Sequence, residues 1–191
     1  ENPWFSIEFD NLLIKLRSSD PKLFGVLYDA VQNNTYLTRF MTSSSLVNIS
    51  GELLDASSKM MSFSGCYLRM DAPNDKRNTL KWHQDRAYYH QNHDGNNGLV
   101  VSVALQNIDK INGALQVCPK SHKEGFLGIK DDGSKNDYET SEQLIIEEKD
   151  LLKYSPLSIK LDIGDALFIN MNLFHKSGYN SSKRFRFTAL C

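Results

Sequence analysis

Up to about residue 61 the apolar positions keep a helical period, and from residue 62 they fall into short runs of a few residues. Asp20-Pro21 predicts a helix start, because an Asp side chain caps free amides and Pro is tolerated at the first helical position. Leu23, Phe24, Leu27, Ala30 and Val31 follow at helical spacing and predict its buried face, with a stop at Asn33-Asn34. A second helix is expected over about residues 45–60, with Leu46, Ile49, Leu53 and Ala56 turned inward.

Beyond residue 62, Ser64–Met70, Leu99–Gln106, Ala114–Cys118, Leu157–Leu161, Ala166–Met171 and Phe185–Leu190 read as strands. Asp94-Gly95-Asn96-Asn97-Gly98, Asn112-Gly113 and Gly164-Asp165 supply turns between them. Short strands with turns predict a mainly β fold, an all-β barrel or double-sheet jelly roll, with N-terminal helices packed on it. No βαβ rhythm and no glycine-rich phosphate loop occur, which disfavours Rossmann and P-loop enzymes. The expected organisation is a single domain over residues 1–191, helical over 1–61 and a β core over 62–191. Residues 124–156 are polar around Asp131-Asp132-Gly133 and read as a loop insertion, of the kind that forms lids or binding loops.

Composition narrows the classes. With 191 residues, 40% hydrophobic and 24% charged, the chain can bury a core. A net charge of -1 offers nucleic acid or an anionic membrane no strong attraction. No apolar run reaches the roughly 18 residues of a membrane span, and no signal peptide is visible. Cys66, Cys118 and Cys191 are an odd, widely spaced set without a CxxC pair. They predict buried thiols in a reducing cytoplasm rather than a disulfide framework or a thiolate zinc site.

Trp82-His83-Gln84-Asp85 is the first candidate for chemistry. In an extended segment residues two apart point the same way, so His83 and Asp85 can face one metal ion together. A lone HxD carries little weight without a third ligand. His175, just beyond the strand Ala166–Met171, supplies one. Two imidazoles and a carboxylate on one face of an ion leave three positions open, as in non-haem iron(II) oxygenases. Two of these suit a bidentate oxoacid and one suits dioxygen. In the last strand Arg184, Arg186 and Thr188 share one face, and Phe185, Phe187 and Ala189 the other. If the Phe face packs on the helices, Arg186 looks into the barrel, where an arginine is costly without an anion. Its planar guanidinium suits the distal carboxylate of that oxoacid, and Ser177 lies close enough in sequence to His175 to add a hydroxyl.

From Trp82 to Arg186 the chain resembles the phytanoyl-CoA dioxygenase family of iron(II)- and 2-oxoglutarate-dependent oxygenases. The matching pieces are Trp82-His83-Gln84-Asp85, Asn112-Gly113-Ala114-Leu115, Pro119-Lys120-Ser121-His122, Gly164-Asp165, His175 through Ser181, and Arg186 eleven residues past His175. The resemblance implies a double-stranded β-helix (jelly roll, cupin-like) fold. It implies iron held by His83, Asp85 and His175, and 2-oxoglutarate held by Arg186 and Ser177, with Gln84 and Tyr67 near the cosubstrate. It further implies Fe(II), 2-oxoglutarate and O2 as requirements, ascorbate as a stimulant, and hydroxylation of a small organic molecule with release of succinate and CO2. One departure is Ser102, where family members often carry a bulky aromatic. Halogenating relatives lack the carboxylate that Asp85 provides, so hydroxylation or a related oxidation is expected. Two alternatives use the same residues: a zinc or other divalent-metal cupin hydrolase or isomerase, and a non-catalytic binding module. His90, His93 and His122 are expected outside the metal site, Arg86, Tyr88 and Tyr89 at the substrate pocket or in packing, and Lys183-Arg184 on the surface. Substrate specificity is expected in the N-terminal helices and residues 124–156.

Overall fold

The computed structural model describes residues 6–32, 34–76, 79–89, 98–128, 131–135 and 142–191. Four helices lead the chain: α1 (Ile7–Ser19), α2 (Pro21–Val31), α3 (Thr35–Met41) and α4 (Ser44–Leu54). Three of them begin on a side chain that accepts from an otherwise unpaired amide: Ser6 from Phe9, Asp20 from Leu23 and Asn34 from Leu37. Such a cap is worth about 1 kcal/mol. The expected start at Asp20-Pro21 is therefore present as a capped helix.

The strands are β1 (Tyr67–Asp71), β2 (Leu99–Ala104), β3 (Gln116–Val117), β4 (Asp131–Lys135), β5 (Glu142–Leu144), β6 (Leu157–Ser158), β7 (Ala166–Asn170), β8 (His175–Lys176) and β9 (Arg186–Leu190). A short helix, α5 (Glu148–Leu151), lies between β5 and β6. One antiparallel sheet runs β1-β9-β2-β7 and a second runs β6-β3-β8. Two antiparallel sheets with leading helices are the jelly-roll plan expected from the run of short strands. Among the described residues no helix is long and apolar enough to cross a membrane.

Alternation along the strands fixes which residues face the barrel. Phe185, Phe187, Met70 and Ala72 pack with Leu13 of α1 and Phe24 of α2. Val101, Val103 and Ala189 pack with Leu37 and Met41 of α3. The helices thus cover one face of the first sheet. Period-two geometry then turns Tyr67, Arg69 and Asp71 of β1, Ser102 of β2, and Arg186 and Thr188 of β9 to the opposite, inner face. β1 is an edge strand, and Gln32 at the end of α2 covers it. The Gln32 amide donates to the Leu68 carbonyl at 2.9 Å and accepts from the Leu68 amide at 2.8 Å, as a neighbouring strand would.

Several expectations are corrected. The inward line of α2 is Phe24, Tyr28 and Val31, while Leu23 and Leu27 are exposed. α2 meets the sheet along an i, i+4, i+7 stripe that apolar content alone does not single out. The helix expected over 45–60 ends at Leu54, where Asp55 takes a left-handed conformation. Ile49 and Leu53 are exposed, and Ser50 and Gly51 are buried in their place. A Cβ on Gly51 would lie 2.8 Å from the Ala56 carbonyl oxygen, so the close approach falls on the small face of the helix. The polar stretch 124–156 holds β4 paired with β5, and α5, rather than loop alone. β8, only two residues long, is too short to show alternation in sequence. His90, His93 and Asn33 lie outside the described residues.

Candidate functional site

His83 and His175 are joined through their backbones before their side chains meet. The His83 amide donates to the His175 carbonyl at 2.9 Å, and the His175 amide donates back to His83 at 3.1 Å. This bridge adds His83 to the second sheet beside β8 and sends both rings inward. Their outward neighbours stack on the other side, with the Lys176 ammonium 5.2 Å from the Trp82 ring centre. The imidazole centres are 4.2 Å apart.

Asp85 follows at the start of a 3-10 turn over Asp85–Tyr88. One of its carboxylate oxygens lies 3.4 Å from Nε2 of His83 and 3.4 Å from Nε2 of His175. The three ligand atoms lie within 4.8 Å of one another. Each ring is oriented from behind: Nδ1 of His83 is 2.7 Å from the Lys81 carbonyl oxygen, and Nδ1 of His175 is 2.9 Å from that of Leu173. A carbonyl can only accept, so Nδ1 carries the hydrogen and Nε2 keeps its lone pair for the centre.

The electrostatics ask for a cation. Burial alone would raise the Asp85 carboxyl, but His175 and His83 beside it hold it far below the usual carboxylate range. Burial alone would lower His175, but the Asp85 charge and hydrogen bond raise it above an ordinary imidazole. A divalent ion bound by the same three atoms would satisfy the Asp85 charge and compete with protons for the imidazoles. Two imidazole nitrogens and one carboxylate oxygen fit iron(II) with open positions. Tyr88 packs edge-on to the His83 ring at 5.7 Å.

Beside the centre lies a buried charge cluster. Arg186 of β9 stands opposite Asp71 of β1 in register, and its Nε donates to Asp71 Oδ2 at 3.1 Å while Nη2 donates to the same oxygen. Arg69 reaches both Asp71 oxygens from Nε at 3.0 Å, and its Nη2 donates to Ser177 Oγ at 3.1 Å. Burial would raise Asp71, and the two guanidinium groups outweigh it and hold the carboxyl below its ordinary value. The charge of Arg69 also acts on His175, which ties the cluster to the metal end.

Of the residues expected at the cosubstrate, Arg186 and Ser177 are therefore buried and joined through Asp71 and Arg69. Tyr67 sits on the same face of β1 but is 40% exposed at its end. Gln84 is placed elsewhere. Its Nε2 donates to the carbonyls of Gly125 at 2.7 Å and Asn172 at 2.8 Å, and its Oε1 accepts from the Leu127 amide at 3.0 Å. With both ends of its amide on backbone, Gln84 holds the metal turn against two loops. In the Pro119–His122 piece the bracing residue is Ser121, whose fully buried Oγ accepts from the Phe174 amide at 2.8 Å, next to His175. Arg184, expected on the surface, is ion-paired with the buried Asp10 of α1.

Sequence reasoning missed Arg69 and Asp71. Their signal is present: Leu68 and Met70 alternate with two opposite charges on a strand. Gly113 also acquires a reason. It has φ +92°, and a Cβ there would meet Arg186 Nη1 and the Gly178 carbonyl oxygen, each at 2.8 Å. Near the metal turn a cavity of about 770 Å³ opens between α3, α4 and the sheet, lined in part by Met41, Leu46, Met61, Phe63, Ser64 and Tyr89.

Among solved structures, EvdO2 from Micromonospora carbonacea var. aurantiaca in complex with 2-oxoglutarate is 18% identical, covering 84% of this chain and 64% of that one, with a TM-score of 0.63. The epimerase SnoN in complex with Fe3+, alpha ketoglutarate and nogalamycin RO is 17% identical, covering 84% and 60%, with a TM-score of 0.63. EctD from S. alaskensis with bound Fe is 16% identical, covering 100% and 69%, with a TM-score of 0.64. The chain thus spans between 60% and 69% of the length of these three structures, whose likeness establishes the fold. No curated protein is significantly similar to the chain in sequence. The family model described as Phytanoyl-CoA dioxygenase (PhyH) matches residues 29–188, which contain every residue of the metal triad and the charge cluster, and the chain belongs to that family.

Proposed function

We propose that the chain is the catalytic part of an iron(II)- and 2-oxoglutarate-dependent oxygenase that oxidises a small organic molecule. The observation that carries this reading is the convergence of two imidazole nitrogens and one carboxylate oxygen within 4.8 Å, backed by the buried guanidinium of Arg186 and the part-buried one of Arg69. Iron with 2-oxoglutarate and O2 would supply the oxidant, with succinate and CO2 as coproducts. His83, Asp85 and His175 are proposed as the iron ligands, oriented by the carbonyls of Lys81 and Leu173. Arg186 and Ser177 are proposed to hold the distal carboxylate of 2-oxoglutarate. Gln84 acts on the site by fixing the metal turn rather than by touching cosubstrate.

The cavity of about 770 Å³ between α3, α4 and the sheet is of the size that takes a small organic molecule, and Tyr89 is the lining residue nearest in sequence to Asp85. Three cysteines outside any disulfide support a reducing compartment such as the cytoplasm. The test is succinate formation by purified protein with iron(II), ascorbate, 2-oxoglutarate and O2. The expected result is O2-dependent succinate that is lost in His175→Ala and Asp85→Ala. Activity that survives both changes, or equal activity with zinc in place of iron, sinks the assignment.

A further inference from the structure

The register that joins β1 to β9 also brings two thiols together, away from the metal centre. It sets Tyr67 opposite Leu190, and one step further it sets Cys66 opposite Cys191. Their sulfur atoms are 3.5 Å apart. The Cys191 amide and carbonyl both bond across to β2, to Val101 at 3.0 Å and 2.8 Å. In an antiparallel strand the amide and carbonyl of one residue point to the same side, so those of Cys191 point away from β1, which lies on the other edge of β9. Cys66 and Cys191 are therefore a non-hydrogen-bonded pair, in which facing Cα atoms approach to about 4.5 Å and side chains come closest. A disulfide needs Cα atoms about 4.4–6.8 Å apart, so the backbone spacing of such a pair already suits the bond. The two thiols differ in access. Cys66 is fully buried, in a cluster with Val101, Val103 and Ala189 on the helix side of the sheet. Cys191 is part-exposed and lines the cavity of about 770 Å³.

We propose that this pair is a thiol-exchange site, at which Cys191 takes a small-molecule disulfide from the cavity and Cys66 resolves the product into a cross-strand disulfide. In the first step Cys191 gives up its proton and its sulfur attacks one sulfur of the small disulfide. A mixed disulfide forms on Cys191, the S–S bond of the small molecule breaks, and its leaving thiolate takes up the proton. In the second step the Cys66 sulfur, already in contact, attacks the Cys191 sulfur. The Cys66–Cys191 bond forms, the bond to the small molecule breaks, and the second half leaves as a thiol with the proton from Cys66. Two protein thiols are oxidised, and one small disulfide is reduced to two thiols. Burial and the neighbouring Cys66 push the Cys191 thiol up, so the first step is slow at neutral pH. The second is intramolecular and waits for no encounter. The product ties the edge strand β1 to β9 beside the cavity wall, and excess thiol reverses it by the same exchange.

The experiment incubates the reduced full chain, without O2, with bis(2-hydroxyethyl) disulfide at about pH 8.5, where more of the thiol is ionised. The probe is small and uncharged. Samples are quenched in acid and mapped by peptide mass spectrometry. The wild type is expected to give a linked Cys66–Cys191 peptide pair, an intact mass lower by two hydrogen atoms, a reduced Cys118, and full return to the starting mass in dithiothreitol. In Cys66→Ala the first step has no successor, so the mixed disulfide on Cys191 is expected to accumulate at least about tenfold above its wild-type level. Cys191→Ser is expected to give neither product. A wild type that yields no linked pair within about a day, while the same reagent modifies its cysteines in denaturant, overturns the proposal. A link that includes Cys118, or a folded Cys66→Ala protein that accumulates no adduct, overturns it equally. Should Cys66→Ala not fold, the wild-type map decides alone.

Discussion

Replacing Gln84 separates two roles for the residue between the proposed metal ligands His83 and Asp85. Its side chain makes three hydrogen bonds to backbone, to Gly125, Asn172 and Leu127, and is 3% exposed. Gln84→Leu keeps the bulk and removes all three bonds. At about 1 kcal/mol each the loss is about 3 kcal/mol, and in a chain of this size that lowers Tm by about 6–12 °C. The turn bearing His83 and Asp85 also loses its hold on the Gly125–Leu127 loop and on Asn172, so metal affinity is expected to fall by about 10–100-fold, as when other residues behind metal ligands are removed. At saturating metal the 2-oxoglutarate requirement should stay at the wild-type value. Gln84→Glu is nearly isosteric and still accepts from Leu127, but it aims an oxygen at two carbonyl oxygens, so it should be no more stable than the Leu variant. Thermal melts with and without metal, and 2-oxoglutarate titrations at saturating metal, measure all of this. A raised 2-oxoglutarate requirement with an unchanged Tm would place Gln84 on the cosubstrate and refute the bracing role.

The pairing of Arg184 with Asp10 joins the segment just before β9 to α1, and Asp10 is only 1% exposed. Arg184→Met should cost about 1–3 kcal/mol in urea unfolding, and combining it with Asp10→Asn should cost less than the sum; strict additivity would disprove the coupling. Asp71 is held below the ordinary carboxylate value, so its contribution is complete above that value and is lost as pH falls through the depressed one. Wild-type stability should therefore drop below about pH 4, with a shallower acid limb in Asp71→Asn; superimposable acid limbs would show that Asp71 contributes nothing. The Cys191 thiol is pushed up to about 12 by burial and by Cys66, whose sulfur is 3.5 Å away, and burial also raises Cys118. A thiol raised in this way is kept protonated at about pH 7, so iodoacetamide should label Cys191 slowly in the native protein and readily in denaturant; rapid native labelling would contradict that environment.

The barrel was readable in sequence where strands are long enough to alternate and where turn residues divide them. β2, β7 and β9 lie within the expected runs, and the face that β9 shows to the helices is the expected one, because Phe185 and Phe187 differ so sharply from Arg186. The helix faces were less legible. Leu23, Val26 and Leu27 are apolar yet exposed, so apolar residues surround α2 and no stripe stands out. β3 and β6 also lie within expected runs, Ala114–Cys118 and Leu157–Leu161, though each is only two residues long, whereas the two-residue β8 takes its extended form from β3, a partner far along the chain that no local period encodes.

The candidate site divides along the same line. His83 and Asp85 are two residues apart, and that spacing is visible in any extended segment. Asp71 and Arg186 are 115 residues apart, and only the β1–β9 register brings them together. The arginine could be inferred from the cost of burying it, but the first anion it meets is an aspartate of the chain itself. The same register explains why separated motifs accompany one another. Gly113 and Gly178 pack against each other, where a Cβ on Gly178 would lie 2.3 Å from the Ala114 carbonyl oxygen and one on Gly113 would strike Arg186. A side chain at either glycine pushes apart the loop after His175 and the loop before β3, and the guanidinium loses its seat. Asn112-Gly113-Ala114, His175–Ser181 and Arg186 are three pieces in sequence and one contact in the fold, so a change in one piece is felt by the charge cluster rather than by that piece alone.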